Sequence, residues 1–276
     1  MGALADGFLA NCGANDAIAA TPAMPRKVTP CWWNAGPRAT SGVCIETKSM
    51  ATKCLVAIRA VRMTDSYQWS PKDPELGTTI MAVQFQGGVV LAADSRTSSG
   101  SFIANRVSDK LTFLHDKIFV CRSGSAADTQ AIADICRMYL SMHAISLGTN
   151  TPRVKEAAHL LNKLCYSNKD NLMAGLIIAG WDPIDGASVY TIPLGGGIFK
   201  QEWSIGGSGS GYIFGFCDSN WRSGMTCDEA LAFTKTAVSL AMSRDGSSGG
   251  VIRTVVITDA GVTRDMTTDL QLPHRP

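Results

Sequence analysis

The stretch Thr79-Ile80-Met81-Ala82-Val83-Gln84-Phe85-Gln86-Gly87-Gly88-Val89-Val90-Leu91-Ala92-Ala93 decides the fold. Ile80 to Phe85 and Val89 to Ala93 are short runs of β-forming residues, and the Gly87-Gly88 pair between them is a turn signal. The segment therefore reads as a hairpin. A second follows: Leu111 to Leu114 and Ile118 to Cys121 are strand-like, and the connection His115-Asp116-Lys117 is short enough to join neighbours. The sheet is antiparallel at its start.

Working outward, Ser123 to Asp128 reads as a capped helix entry, with Ile132, Ile135, Cys136, Tyr139 and Leu140 recurring at helical spacing. Thr151-Pro152 predicts the cap and first turn of a second helix, whose apolar face is Val154, Ala157, Ala158, Leu161 and Leu164. Leu176 to Trp181, Ala187 to Pro193 and Lys200 to Ile205 return to β character, divided by Asp182-Pro183 and Gly195-Gly196-Gly197. Tyr212 to Cys217 begins a short helix, Asp228 to Arg244 is a longer one with Ala230, Phe233, Ala237, Leu240 and Ala241 inward, and Val251 to Thr258 closes as a strand. Runs of strands separated by paired helices predict an α+β protein with two stacked antiparallel sheets between helical layers, a four-layer αββα sandwich. A parallel, doubly wound dinucleotide domain fits this order poorly.

Upstream, residues 1–77 are rich in Ala, Gly, Pro, Thr and Ser and read as a flexible leader, with Trp32-Trp33 and the run Cys54 to Ile58 as exceptions. Met50 and Met63 are alternative starts to Met1. Across 276 residues the net charge is only +2, with both signs interspersed, so no basic face for nucleic acid or acidic lipid is visible. Nine cysteines, an odd number without a C-x-x-C pair, argue against a disulfide framework and a zinc site and fit reduced thiols in the cytosol or nucleus. No apolar run approaches the roughly 20 residues of a membrane span, and the first thirty residues lack a secretory pattern.

The chemistry-bearing candidates are charges at the ends of apolar strands: Asp94, Arg96, Lys110 and Arg122. Any one of them alone reads as a strand end meeting water. Four together invite a shared cleft. The segment Gly77-Thr78-Thr79-Ile80-Met81-Ala82-Val83, with Asp94-Ser95-Arg96 and Lys110 downstream, resembles the active β-type subunits of the proteasome. Further matches are Arg122-Ser123-Gly124-Ser125-Ala126-Ala127-Asp128, Gly207-Ser208-Gly209-Ser210 with Asp218, and Asp245-Gly246-Ser247-Ser248-Gly249-Gly250. The resemblance covers Thr78 to Met266 and leaves out the leader and the tail Thr267 to Pro276. Around Arg106, Arg122 and Ala127 it is most similar to the caspase-like subunit.

The resemblance implies an N-terminal-nucleophile hydrolase over residues 78–276, a threonine endopeptidase whose leader, residues 1–77, is removed by self-cleavage between Gly77 and Thr78. A threonine hydroxyl is a weak nucleophile, and the α-amino group freed by that cut, with a pKa of about 7.7 to 8.0, would supply a base on the same residue. Glycine before the cut leaves the least obstacle to attack. Lys110, held by Asp94, is implied to lower the cost of the alkoxide, although the pair also reads as a plain structural salt bridge. Gly124 is implied as the oxyanion donor, or is a plain N-terminal glycine turn. Ser208, Asp245 and Ser248 are implied to orient the new N-terminus, while composition alone makes their segments a loop and a turn.

Arg122, two residues before Gly124 and so on the same side of the strand, is the specificity candidate: a cation there favours cleavage after Asp or Glu, unless it is a solvated strand-end arginine. Thr97 and Ser98 resemble the stretch that pairs with the substrate backbone, and Ala126 a pocket-lining position. As implied partners stand α-type and β-type subunits in stacked seven-membered rings and unfolded polypeptide substrates, with no nucleic acid, membrane, cofactor or metal, in cytoplasm and nucleus. Two other readings stay open, a structural ring subunit that never processes its leader and a small-amide amidase of the same nucleophile type. A nucleotide-binding module fails because neither Gly195–Gly197 nor Gly206–Gly211 has phosphate-loop spacing.

Overall fold

In the computed structural model the described residues are 77–148, 151–268 and 271–274, all within the unit Met63–Pro276. The expected leader up to residue 76 and the alternative starts lie outside them. The opening hairpin forms as β1 (Ile80–Phe85) and β2 (Gly88–Ala93), paired from Ile80↔Ala93 to Phe85↔Gly88. A strand exposes alternate residues on opposite faces, and here both faces are buried. Ile80, Ala82, Val89, Leu91 and Ala93 enter one core cluster, while Met81, Val83, Phe85, Val90 and Ala92 enter another.

What covers each face defines the layers. On the inner side lies a second sheet of β5 (Leu111–His115), β6 (Ile118–Gly124), β7 (Ala174–Asp182), β8 (Gly186–Ile192) and β9 (Phe199–Gln201), in that order and antiparallel throughout. Leu111, Phe119, Cys121, Ile177 and Val189 of this sheet pack into the cluster shared with the first hairpin. On the outer side Ala230, Phe233, Ala237, Val238 and Ala241 pack inward from a helix at Cys227–Arg244, preceded by a short one at Phe214–Asn220. Helices α1 (Ala126–Leu147) and α2 (Val154–Ser167) cover the far face of the second sheet. The two outer-side helices are α3 and α4 in chain order. The predicted four-layer αββα sandwich is the observed architecture.

Local readings differ at five places. Lys200 to Ile205 is two strands, not one: β9 ends at Gln201, and β10 (Trp203–Gly206) crosses to the first sheet and pairs with β1. A small hairpin of β3 (Thr97–Ser99) and β4 (Phe102–Asn105), too short to show periodicity and with β4 wholly exposed, follows Asp94. A last strand, β12 (Val262–Thr267), completes the first sheet beside β11 (Ile252–Thr258); four of its six residues are exposed, so no apolar pattern announced it. Helix α2 begins at Val154 rather than at Pro152. Glu156 reaches back to the Arg153 N–H and Asp182 accepts from Val154 N at 3.1 Å, so a carboxylate from the second sheet satisfies the helix start. In the tail, Leu272 is buried in the α4 core cluster.

Candidate active site

Two hairpins in two facing sheets build the site. In the first, the β1–β2 register sets Thr79 beside Asp94: Asp94 N donates to Thr79 O at 3.1 Å, and Thr79 N donates to Asp94 Oδ1 at 2.9 Å. Thr78 therefore stands at the open end of that hairpin next to a carboxylate. In the second, Leu111 pairs with Cys121, and Arg122 N donates to Lys110 O at 2.9 Å, so Lys110 stands opposite Arg122. Stacking the sheets brings Lys110 over Thr78.

Lys110 Nζ donates to Asp94 Oδ1 at 2.7 Å, to Thr78 Oγ1 at 3.0 Å and to Gly77 O at 3.4 Å. Asp94, with no exposed surface, also accepts from Arg96 N at 3.2 Å and Gly249 N at 3.0 Å. Burial pushes the Lys110 ammonium below its ordinary range, with Asp94 opposing that shift. Burial raises the Asp94 carboxyl, and Lys110 with the backbone donors pulls it back. A lysine near a hydroxyl and easier to deprotonate than usual can move that hydroxyl's proton. The Thr78 hydroxyl itself donates to Gly77 O at 2.6 Å, so the nucleophile candidate already touches the bond expected to break.

Behind Thr78 lies a second polar chain. Thr78 N, here an amide nitrogen where the α-amino group would stand after cleavage, donates to Ser208 Oγ at 3.1 Å. Ser208 and Ser248 hydroxyls each donate to Asp245 Oδ2 at 2.6 Å. Ser248 Oγ lies 2.8 Å from Thr79 Oγ1, closing a circuit through four hydroxyl and carboxylate groups. Asp245 caps the C-terminal end of α4, and Ser208 opens a 3₁₀ turn after Gly207, whose φ of 86° and close approach to the Thr78 carbonyl leave no room for a side chain.

In front of Thr78 a cleft is lined by Gly77, Thr78, Thr97, Ser98, Ser108, Asp109, Lys110, Arg122, Gly124 and Ala126. Every residue expected to bind substrate, Arg122, Thr97, Ser98 and Ala126, borders it, as does Gly124, which needs glycine for its φ of 101° against the Met173 carbonyl. Arg96 does not. Its guanidinium turns to the Gly246 carbonyl at 2.8 Å and packs on Gly249, so the four strand-end charges do not share one cleft. Arg122 also differs from its expected place: it lies within β6 rather than at its end, half-buried, and donates from Nη2 to Asp109 O at 3.0 Å. The sequence reading missed Thr79, Ser108 and Asp109 as site residues. Adjacency to Thr78 and Lys110 was the only signal for them. Among the described residues no group of His, Cys, Asp and Glu could hold a metal, and no helix is long and apolar enough to cross a membrane.

Two antiparallel sheets between helical layers, with a threonine set against a buried lysine at the open end of the first hairpin, define the N-terminal-nucleophile class of hydrolases. Comparison with known proteins narrows the class. Residues 75–257 match the family described as "Proteasome subunit", more than half of the chain, and the chain belongs to that family. It is 55% identical over 207 residues to "Proteasome subunit beta type-6" of Dictyostelium discoideum, covering 75% of this chain and 96% of that protein. It is 57% identical over 189 residues to "Probable proteasome subunit beta type-1" of Schizosaccharomyces pombe, at 68% and 83% coverage. Identity is also 57% over 189 residues to "Proteasome subunit beta type-1" of Saccharomyces cerevisiae, at 68% and 87%. The β-type subunits are threonine peptidases, the enzyme class expected from the sequence.

Proposed function

We propose that this chain is a catalytic β-type subunit of the 20S proteasome core, with Thr78 as its nucleophile, preferring acidic residues before the cut bond. The observation that carries the reading is Lys110 Nζ at 3.0 Å from Thr78 Oγ1, held there by a fully buried Asp94. In maturation, Thr78 Oγ attacks the Gly77 carbonyl carbon, and its proton passes to a neutral Lys110 and on to the Thr78 nitrogen as the Gly77–Thr78 peptide bond breaks. That step frees the α-amino group and leaves the leader as an ester on Oγ, which water then hydrolyses, releasing leader 1–77 and restoring the Thr78 hydroxyl.

In turnover, that amine takes the Thr78 hydroxyl proton, Oγ acylates on the substrate carbonyl, the proton goes to the leaving amine, and water regenerates the hydroxyl. Ser208, Asp245 and Ser248 orient the α-amino group, and the Gly124 N–H receives the oxyanion. Arg122 faces the substrate's acidic side chain, with Thr97 and Ser98 along its backbone and Ala126 at the pocket wall. The subunit assembles with α-type and β-type neighbours in stacked rings, works on unfolded polypeptides in cytoplasm and nucleus, and needs no cofactor.

The test is intact mass of the chain purified from its assembly, for wild type and Thr78→Ala. Wild type is expected to begin at Thr78 and the variant to keep its leader or a trimmed remnant of it. A mature wild-type chain beginning elsewhere overturns the reading, and so does a Thr78→Ala chain that begins at residue 78.

A further inference from the structure

Residues 106–110, which carry Lys110 into β5, belong to neither helix nor strand, so their carbonyl groups have no ladder to join. Nevertheless, each carbonyl oxygen from Val107 to Leu111 accepts a hydrogen bond, and arginine guanidinium groups serve all of them except Lys110 O. Arg253 on β11 donates from Nη2 to Val107 O at 2.9 Å and from Nε to Ser108 O at 3.3 Å. Arg122 on β6 donates from Nη2 to Asp109 O at 3.0 Å, and its own N–H takes Lys110 O. Arg264 on β12 donates from Nη2 to Leu111 O at 3.4 Å and to Asp109 Oδ2 at 2.6 Å, closing an ion pair.

The placement of these donors matters as much as their number. β11 and β12 belong to the first sheet, which carries Thr78 and Asp94 at the ends of its inner strands β1 and β2, whereas Lys110 leads into the second sheet. Arg253 and Arg264 thus strap the lysine-bearing segment of one sheet to the sheet that holds the nucleophile. A lysine needs such a root, because its four-carbon stem is flexible and nothing in the ammonium itself fixes direction. A guanidinium fork spanning two successive carbonyls, as Arg253 does, fixes both position and orientation of the backbone it holds.

We propose that Arg253 and Arg264 are positioning residues for the threonine chemistry: they hold the backbone of residues 107–111 so that Lys110 reaches Thr78 and Asp94 together. This rests on the reading of Lys110 as the partner of Thr78. Misplacement of a catalytic group by about 1 Å costs on the order of a hundredfold in rate. Arg253→Met and Arg264→Met remove the donors while keeping side-chain length, and Arg264→Lys restores the charge toward Asp109.

The experiment measures peptide hydrolysis by full assemblies carrying each variant, per mature chain counted by intact mass, across pH, with Lys110→Ala as control. Both Met variants are expected to lower kcat by about tenfold or more at a KM within about twofold, and to move the acid limb of the kcat profile. Arg264→Lys is expected to recover most of the loss. Full kcat per mature chain in both Met variants overturns the proposal, as does a loss confined to the number of assembled chains with an unmoved pH profile. Should the Met variants fail to assemble, Arg253→Lys, which keeps one of the two carbonyl bonds, decides by the same readout. Activity surviving in Lys110→Ala overturns instead the reading of the site itself.

Discussion

Arg122 Nη2 lies 3.0 Å from the carbonyl oxygen of Asp109, the residue immediately before Lys110, while its Nε is buried without a hydrogen-bond partner. The same side chain therefore borders the substrate cleft and holds the segment that carries the lysine. Burial lowers the Arg122 pKa from the ordinary arginine value, Asp109 opposes this, and the group remains a cation at neutral pH. A buried unpaired donor beside a cleft gains from an incoming carboxylate, since leaving it unsatisfied costs on the order of 1–3 kcal/mol.

Two losses are accordingly expected from Arg122→Glu. Cleavage of a fluorogenic peptide ending in Asp or Glu should fall by about a hundredfold, through lost pairing and new repulsion. Cleavage after Leu should fall too, but by only about severalfold, through the loosened Asp109 carbonyl. The measurement is kcat/KM for both peptides. Equal losses would remove Arg122 from the specificity pocket and leave it only the structural tie.

The Asp94–Lys110 pair makes a stability claim separable from activity. Each partner is nearly or wholly buried, so deleting one leaves an uncompensated charge in the core. Lys110→Met is expected to destabilise the chain by about 3–5 kcal/mol, whereas Thr78→Ala, which leaves the pair intact, should cost far less. Urea unfolding of the two precursors compares them. A Lys110→Met precursor as stable as Thr78→Ala would show that Asp94 is neutral or otherwise satisfied.

Self-cleavage should carry the signature of Lys110 in its pH dependence. The neutral amine is the form that accepts the Thr78 proton, and burial lowers the pKa of the ammonium. The neutral fraction rises with pH, so the processing rate should climb by up to tenfold per pH unit and level off below the range of an ordinary lysine, at about 10.4. Lys110→Arg, which stays charged throughout, should not process. Conversion of purified precursor, followed by mass between about pH 6 and 9, gives the slope. A rate that is flat or falls with pH excludes Lys110 as the acceptor.

How much of this was legible in the sequence depends on whether an apolar pattern accompanied it. Ile80 to Ala93 announced the central hairpin because two strands buried on both faces leave two apolar runs separated by a short stretch that ends in the Gly87-Gly88 turn. From that hairpin the neighbourhood of Thr78 and Asp94 follows, since the register sets Thr79 opposite Asp94 and leaves Thr78 one residue further along. β12 and the β3–β4 hairpin stayed hidden because most of their residues face outward and carry no period. The split of Lys200–Ile205 was hidden for another reason: Glu202 separates two strands of different sheets, and a sheet change leaves no mark on local composition. The hydroxyl chain through Ser208, Ser248 and Thr79 joins residues up to 169 positions apart. Family resemblance supplied the two serines, whereas only the folded arrangement brings Thr79 among them.

The buried thiols give a last prediction, on stability rather than catalysis. Among the described residues Cys136 sits in α1 with no exposed surface, and burial pushes its thiol up to about 12. In the unfolded chain a thiol ionises near 8.5. The folded state thus keeps a proton that the unfolded state has lost, so this group's contribution is fully present below about pH 8.5 and is lost as pH rises through about 12. Stability should decline with pH above about 9, with Cys136 supplying about 1.4 kcal/mol per pH unit of the slope. Other groups titrate in the same range, so the slope must be compared with that of Cys136→Ala. The variant starts less stable because it leaves a small cavity, yet its stability should fall less steeply between about pH 9 and 10.5 in urea unfolding series. Parallel slopes for the two proteins would mean that the Cys136 thiol ionises as readily in the folded chain as in water, and that α1 opens to solvent at alkaline pH before the rest unfolds.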